Sequence, residues 1–329
     1  MVVLVEGPFR TLRAQGYQIV GRHSAVKTCH WVRKALTEGK ICYKGRFYGI
    51  ETHRCLQMSP AVVYCTNRCV YCWRPLPGER GFEWVGGRIP AEDEPKEIVD
   101  GAVEAHRRAL SGYKGNLKVP EERYEEAIRP RHVAISLSGE PTLYSRLSEL
   151  IEEFHRRGMT TFLVTNGTNP KALEELREPT QLYVSVSAPS EGVYRRVCRP
   201  GDEGNWESLM RTVSMLKTFK CPTVVRITLV KGLNMEDPDG YARVLNMGNP
   251  TYVEVKAYMH VGSSIWRLGA EAMPSHEEVL EFAGEVAKRS GYDLIDDVPA
   301  SRVALLSRAP RRVQFCEDRR YSLRDKQNA

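Results

Sequence analysis

Three cysteines stand together in Cys65-Thr-Asn-Arg-Cys69-Val-Tyr-Cys72, a C-x3-C-x2-C spacing with an aromatic residue before the last thiol. Three thiolates on one loop can hold three irons of a [4Fe–4S] cluster and leave the fourth without a protein ligand. An open coordination position is what chemistry at a metal requires. The alternative is a structural zinc, which would want a fourth protein ligand and does not usually take this spacing. Cys29, Cys42 and Cys55 follow each other at intervals of 13, and Cys65 comes ten residues later. Lys27, His30, Lys34, Lys40, Lys44, Arg46 and Arg54 surround them, and cations favour thiolate ligands. These three read as ligands of a second [4Fe–4S] cluster, with zinc or buried free thiols as alternatives. Cys198, Cys221 and Cys316 are isolated and read as small buried or incidental residues. Six of nine cysteines within 44 residues argue for metal or catalysis rather than for disulfides.

Other groups able to do chemistry fall just after short apolar runs. Ser138-Gly139-Glu140-Pro141 is a small-residue turn carrying a carboxylate suited to an ammonium group. Asn166 precedes Gly167, and Ser187 closes Ser185-Val-Ser187. Lys44 lies two residues after Cys42, at an expected hairpin turn of Lys44-Gly45. A lysine of depressed pKa can condense with a ketone to give a Schiff base. Glu254 and Lys256 share one face of the last expected strand and are candidate substrate contacts or an internal ion pair.

The elements that must position these groups alternate. Runs rich in Val, Ile, Leu and Tyr predict strands at 61–64, 132–138, 160–165, 182–187, 223–230 and 252–258. Helical patterns are expected near 28–36, 95–110, 145–157, 170–177, 206–219, 237–245 and 275–290; Leu147, Leu150, Ile151 and Phe154 make one apolar face. Strand–helix alternation implies a parallel sheet with right-handed crossovers. Six β/α units suit a partial (β/α)6 TIM-type barrel, an α/β fold in which sites gather at the carboxyl ends of strands. Three regions are expected: an amino-terminal extension over 1–60 carrying the second cysteine set, a core over 61–308, and a basic, mobile tail over 309–329.

The 329 residues carry a net charge of +7, concentrated at the amino end: residues 1–90 hold 14 Lys/Arg against 5 Asp/Glu. A smaller basic knot lies at Arg308, Arg311, Arg312, Arg319, Arg320 and Arg324. This polarity suits an anionic polymer. No apolar run approaches the length of a membrane span, and the start lacks a signal-peptide pattern, so a cytoplasmic protein is expected.

The Cys65–Cys72 loop resembles the defining motif of the radical S-adenosylmethionine superfamily, whose usual fold is a partial barrel of six β/α units. Ser138-Gly139-Glu140 resembles its Gly-Gly-Glu element, with Ser138 in place of the first glycine. The resemblance implies that S-adenosylmethionine chelates the open iron through its amino and carboxylate groups. It also implies cleavage to a 5′-deoxyadenosyl radical, with Gly139, Glu140, Asn166 and Ser187 as cofactor contacts. A narrower likeness joins the three amino-terminal cysteines to Cys72-Trp73-Arg74, Arg131-His-Val-Ala-Ile-Ser-Leu-Ser-Gly-Glu-Pro-Thr-Leu-Tyr144, Phe162-Leu-Val-Thr-Asn-Gly167 and Gln181-Leu-Tyr-Val-Ser-Val-Ser187. Together these resemble the tRNA 4-demethylwyosine synthase family in its archaeal form, over roughly 20–308.

That family implies a lyase-type reaction on tRNA-Phe. N1-methylguanosine beside the anticodon would lose a hydrogen atom from its methyl group. Two carbons of pyruvate would then close a third ring, giving 4-demethylwyosine. Two [4Fe–4S] clusters and S-adenosylmethionine are implied as cofactors, and an external ferredoxin- or flavodoxin-type protein as electron donor. Lys44 is a candidate to activate pyruvate; chelation by the second cluster is the competing route. Another two-cluster radical RNA-modifying enzyme of the methylthiotransferase kind is the alternative enzyme. A metal-containing RNA-binding protein without chemistry is the alternative of a different class.

Two cubanes would hold about eight irons per chain after anaerobic reconstitution. Replacing Cys29, Cys42 and Cys55 with Ala should leave about four, as should replacing Cys65, Cys69 and Cys72. Iron analysis checks this; a full complement in the first variant would exclude the second cluster.

Overall fold

The computed structural model describes residues 6–76, 79, 87–309 and 312–316. Ten strands are described: β1 (Gln18–Val20), β2 (Ser24–Val26), β3 (Cys55–Ser59), β4 (His132–Ile135), β5 (Thr160–Thr165), β6 (Gln181–Ser185), β7 (Thr223–Leu229), β8 (Tyr252–Ala257), β9 (Asp293–Val298) and β10 (Val303–Ser307). They form one open sheet in the order β1-β2-β3-β4-β5-β6-β7-β8-β10-β9. β3 to β8 are parallel neighbours, six in number as expected, with β4 to β8 where the alternation placed them. Antiparallel pairs extend both edges, β1 and β2 before β3 and β10 and β9 after β8.

Helices α1 (Glu6–Ala14), α2 (His30–Glu38) and α3 (Tyr43–Tyr48) belong to the amino-terminal segment. The crossovers carry α4 (Pro95–Leu110), α5 (Glu121–Ala127), α6 (Leu147–Arg156), α7 (Pro170–Glu174), α8 (Glu191–Cys198), α9 (Asn205–Met215) and α10 (Pro238–Gly248); α11 (His276–Ser290) follows β8. No described helix is long and apolar enough to cross a membrane.

Side chains alternate across the strands. One register, including Leu56, Val133, Leu163, Leu182, Val225 and Val253, joins the helices in the large core. The other puts Phe162, Tyr183, Val224, Tyr252, Val303 and Leu305 on the inner face. Phe47 and Tyr48 of α3 fill that inner face, together with Phe315.

Three expectations change. The first parallel strand is β3, not 61–64. Pro60 has no N–H for a ladder, and 61–64 is a buried loop whose Val62 N–H reaches the His23 carbonyl at 3.1 Å. A short apolar run does not distinguish a buried strand from a buried loop. The expected hairpin at Lys44-Gly45 is the helix α3. The Cys42 sulfur caps it by accepting the Gly45 N–H at 3.4 Å, and Gly49, at φ +69°, ends it.

The third change is at the carboxyl end, where residues 312–316 are a packed strap rather than a free tail. Phe315 meets Phe162 with ring centroids 5.3 Å apart, and its N–H donates to the Tyr48 carbonyl at 2.9 Å. Arg312 pairs with Asp296. Arg311, Arg319, Arg320 and Arg324 lie outside the described residues.

Phe315→Ala should open a hole between α3 and the strands and cost about 3–5 kcal/mol. An anaerobic denaturant titration measures it; an unchanged midpoint would mean that the strap does not hold the inner core.

Candidate active site

The loop after β3 is pinned along its whole length. Arg68 and Val70 donate their N–H groups to the carbonyls of Cys198 and Val197 at 3.0 and 2.9 Å. Asn67 donates to the Tyr194 hydroxyl at 3.0 Å. From beyond β8, Arg267 donates to the Val70 carbonyl at 2.9 Å, to the Cys72 carbonyl, and to the Glu79 carboxylate at 2.6 Å. The Ser263 N–H reaches the Trp73 carbonyl at 2.8 Å. Cys65 is buried, and Cys69 and Cys72 are partly so. Burial pushes all three thiols up, Cys65 to about 12, against the pull of the buried Arg74 guanidinium. For Cys69, contact with Cys198 is the leading cause. Arg74 is thus a cation enclosed with three sulfurs as counter-charges.

The next strand ends close in above this loop. Gly139 has φ +74°, and a Cβ there would lie 1.7 Å from the Ala61 carbonyl oxygen, so no side chain fits. Glu140 is buried, and burial raises its pKa despite four donors. Its Oε1 accepts from the Thr142 N–H and hydroxyl at 3.1 and 2.7 Å and from the Thr165 hydroxyl at 2.6 Å. Its Oε2 accepts from the Asn166 N–H at 2.7 Å. The carboxylate therefore ties the end of β4 to that of β5, and most of its acceptor capacity is used internally. The Asn166 amide donates to the Thr66 hydroxyl at 2.8 Å and to Cys65 Sγ at 3.8 Å. The Ser187 hydroxyl is 2.9 Å from that of Tyr71. These four expected contacts converge on the cysteine loop.

Cys29 caps α2, Cys42 caps α3 and Cys55 opens β3. Each lies in the electrostatic field of the other two. The Thr52 hydroxyl donates to Cys42 Sγ at 3.4 Å. Burial raises the Cys29 and Cys55 thiols, and Lys44 pulls both down. The basic surroundings inferred from sequence are thus outweighed by desolvation.

Lys44 is buried on the inner face, not exposed on a turn. Its Nζ lies 4.2 Å from the Tyr183 ring centre and 5.1 Å from that of Phe162. Burial and Arg226 hold its pKa down at about 8, against Glu254, Cys55 and Cys42. Arg226 donates to Glu254 Oε2 at 3.0 Å and to the Tyr43 hydroxyl at 2.9 Å, and Tyr48 donates to Glu254 Oε1 at 3.0 Å. Glu254 therefore has Arg226 as its ion partner, and Lys256 donates instead to the Ser301 carbonyl at 2.6 Å.

A cavity of about 560 Å³ has Cys29 and Trp73, the residue after Cys72, in its wall. Trp31, Lys34, Lys256 and Met259 also line it. Arg46 and Arg54 are engaged elsewhere, Arg46 with Asp296 at 2.8 Å and Arg54 with the Arg129 carbonyl at 3.3 Å.

Among the described residues, neither cysteine set brings three ligand atoms within 4.8 Å of one another; only Glu51, His132 and Cys316 do. Zinc–sulfur bonds of about 2.3 Å would need sulfurs about 3.8 Å apart, closer than either cysteine set stands as a whole. The N–H, hydroxyl and guanidinium donors around the sulfurs suit thiolates. Sequence reasoning missed Arg226, Arg267, Tyr183 and Tyr194. Each comes from a distant segment and carries no local signal.

The chain matches the radical SAM superfamily model over residues 60–245 and a wyosine base formation model over 247–308. It is 49% identical over 302 residues to a Pyrococcus abyssi S-adenosyl-L-methionine-dependent tRNA 4-demethylwyosine synthase, covering 90% of this chain and 87% of that protein. The Methanocaldococcus jannaschii protein of the same name is 45% identical over 94% of this chain and 99% of its own length. A solved structure described as TYW1 with a lysine-pyruvate adduct bound superposes with a TM-score of 0.84 at 43% identity, covering 93% of this chain and 97% of that one. With that identity along nearly its whole length, on a six-strand parallel sheet whose first loop carries Cys65, Cys69 and Cys72, the chain belongs to the tRNA 4-demethylwyosine synthase family of radical S-adenosylmethionine enzymes.

Proposed function

We propose that this chain converts N1-methylguanosine beside the anticodon of tRNA-Phe, with pyruvate, into 4-demethylwyosine. The observation that carries this reading is the cavity whose lining includes both Cys29 of one cysteine set and Trp73, which follows Cys72 of the other. A base entering it would lie between the two metal sites that the reaction must bring together.

Cys65, Cys69 and Cys72 would hold one [4Fe–4S] cluster, and Cys29, Cys42 and Cys55 a second. When bound, the first cluster would supply one electron for cleavage of the sulfonium C5′–S bond of S-adenosylmethionine, giving methionine and the hydrogen-abstracting 5′-deoxyadenosyl radical. The chain's own part is positioning. The Ser138–Gly139–Glu140 turn would receive the methionyl amino group, Glu140 fixing its shape by holding Thr142, Thr165 and Asn166. Asn166 and Ser187 would complete the cofactor pocket, Ser187 through its contact with Tyr71. Arg267 would keep the cysteine loop in register. An external ferredoxin- or flavodoxin-type protein would supply electrons.

Lys44 would bind pyruvate as an imine, its amine adding to the ketone carbon and water leaving. Its ammonium form is disfavoured where it lies, because burial and the nearby Arg226 guanidinium oppose the charge. The relative described with a lysine–pyruvate adduct supports the same step. Trp31 and Trp73 offer ring faces for a base to stack on, and Lys27, Arg33 and Lys34 offer charge for phosphates.

Borohydride with pyruvate should leave a stable adduct on Lys44, found by peptide mass analysis. Lys44→Arg should bind tRNA and cleave S-adenosylmethionine yet form no tricyclic base. An active Lys44→Arg enzyme without adduct would move pyruvate to the metal site of Cys29, Cys42 and Cys55. Neutralising Arg33 and Lys34 together should lower the slope of log affinity for tRNA against log salt by about 0.7 per charge lost; an unchanged slope would place the anticodon arm elsewhere.

A further inference from the structure

A third group of ligand-type side chains lies at the amino ends of β4 and β5, across the sheet from the Cys65–Cys72 loop. Glu51, His132 and Cys316 come from three separate segments, and their ligand atoms all lie within 4.8 Å of one another. Glu51 Oε2 is 3.8 Å and Cys316 Sγ is 3.7 Å from His132 Nε2. Tetrahedral zinc, with bonds of about 2.0 Å to nitrogen and oxygen and about 2.3 Å to sulfur, has ligand–ligand edges of about 3.3–3.6 Å. The two edges at His132 are within about half an ångström of these lengths, and the third, between Glu51 and Cys316, is no longer than 4.8 Å.

The surroundings prepare the histidine for that role. His132 Nδ1 is 2.7 Å from the Thr160 hydroxyl oxygen. That hydroxyl directs its own hydrogen to the Arg131 carbonyl at 3.4 Å, so it accepts from Nδ1–H. Nε2 is then the bare nitrogen, as its acceptance of the Glu51 N–H at 3.1 Å requires. A ligating histidine held through its other nitrogen in this way is the usual outer-shell arrangement. Glu51 is held as a carboxylate by Arg131 on Oε2 at 2.7 Å and by Arg54 near Oε1 at 3.6 Å. With the Cys316 thiol deprotonated, the set carries two negative charges against a divalent ion. Binding would displace the Glu51 N–H from Nε2 and the proton from Cys316, whose thiol burial has raised.

We propose that Glu51, His132 and Cys316 form a divalent-cation site of the zinc class, separate from both cysteine triads, that clips the 312–316 strap to the strand ends. One borderline-soft sulfur, one imidazole nitrogen and one carboxylate favour zinc over magnesium or calcium. Three protein ligands leave the fourth position to water. The same ion would tether Glu51, four residues ahead of Cys55, to the strap beside α3.

The test uses the cluster-loaded enzyme, incubated anaerobically with Zn²⁺ and then desalted, and it reads metal content rather than activity. One zinc per chain is expected above the iron complement. Its X-ray absorption fine structure should show a single sulfur at about 2.3 Å with nitrogen and oxygen at about 2.0 Å. Cys316→Ala should lower retained zinc at least tenfold with iron unchanged, and Glu51→Gln should weaken retention without adding or removing a sulfur neighbour. Equal zinc in the wild type and Cys316→Ala, or a zinc shell of three or more sulfurs, would overturn the site. No zinc retained by the wild type would leave these residues as a thiol–imidazole hydrogen bond and overturn it as well.

Discussion

A six-stranded parallel sheet curled part-way round has an inner face that its own side chains cannot cover. Closed eight-stranded barrels fill that space with layers of strand side chains. Here the space is filled from outside the sheet, by α3 and the 312–316 strap. Phe47 and Tyr48 enter against Tyr183, Val224 and Tyr252, and Phe315 closes the core beside Phe162. The Tyr48 hydroxyl meets Glu254, which already holds Arg226. Removing either partner of so buried a pair would strand a charge, at about 3–5 kcal/mol. The helix that must be inserted to complete the core is also the helix that carries Lys44 and is capped by Cys42. Core packing and the candidate pyruvate site are therefore one arrangement.

The same economy governs the metal-type thiols. Desolvation opposes the ionisation of Cys65 and Cys72 in one set and of Cys29 and Cys55 in the other. Each set is met by a basic side chain on its own short segment, Arg74 two residues after Cys72 and Lys44 two residues after Cys42. The Cys65–Cys72 loop lacks regular secondary structure and is rigid because α8 and Arg267 take its backbone groups. A loop so tethered holds its sulfurs in place without a strand or helix beneath each one. The cost is dependence on distant residues: loss of Arg267 would release three carbonyls and the Glu79 carboxylate together.

Much of this was legible in the linear chain, and the boundary follows the range of the forces involved. Strands β4 to β8 appear in the sequence because burial on both faces demands continuous Val, Ile, Leu and Tyr. The capping of α11 by Ser275 and Glu278 is equally local. The hairpin expected at Lys44-Gly45 failed because Gly45 suggests a turn to local reasoning, while the burial of Phe47 and Tyr48 decides for a helix. The 61–64 run failed for the complementary reason: apolar residues record burial, and a loop can be buried when its backbone groups find partners such as the His23 carbonyl.

What the sequence determined by itself is the chemistry available: two cysteine sets, the Gly139–Glu140 turn, a lysine beside Cys42, and five of the six parallel strands that carry them. Thiol spacing and hydrophobic period are properties of neighbouring residues, and these survive without a fold. Only the tertiary structure decided that Lys44 is enclosed by Tyr183 and Phe162 and that Arg226 takes Glu254. It also decided that Cys29 and Trp73 face one cavity and that Cys316 reaches His132 across 184 positions. Each of these joins residues from distant segments, and such contacts form only once burial of the shared core has outweighed the entropy of bringing those segments together.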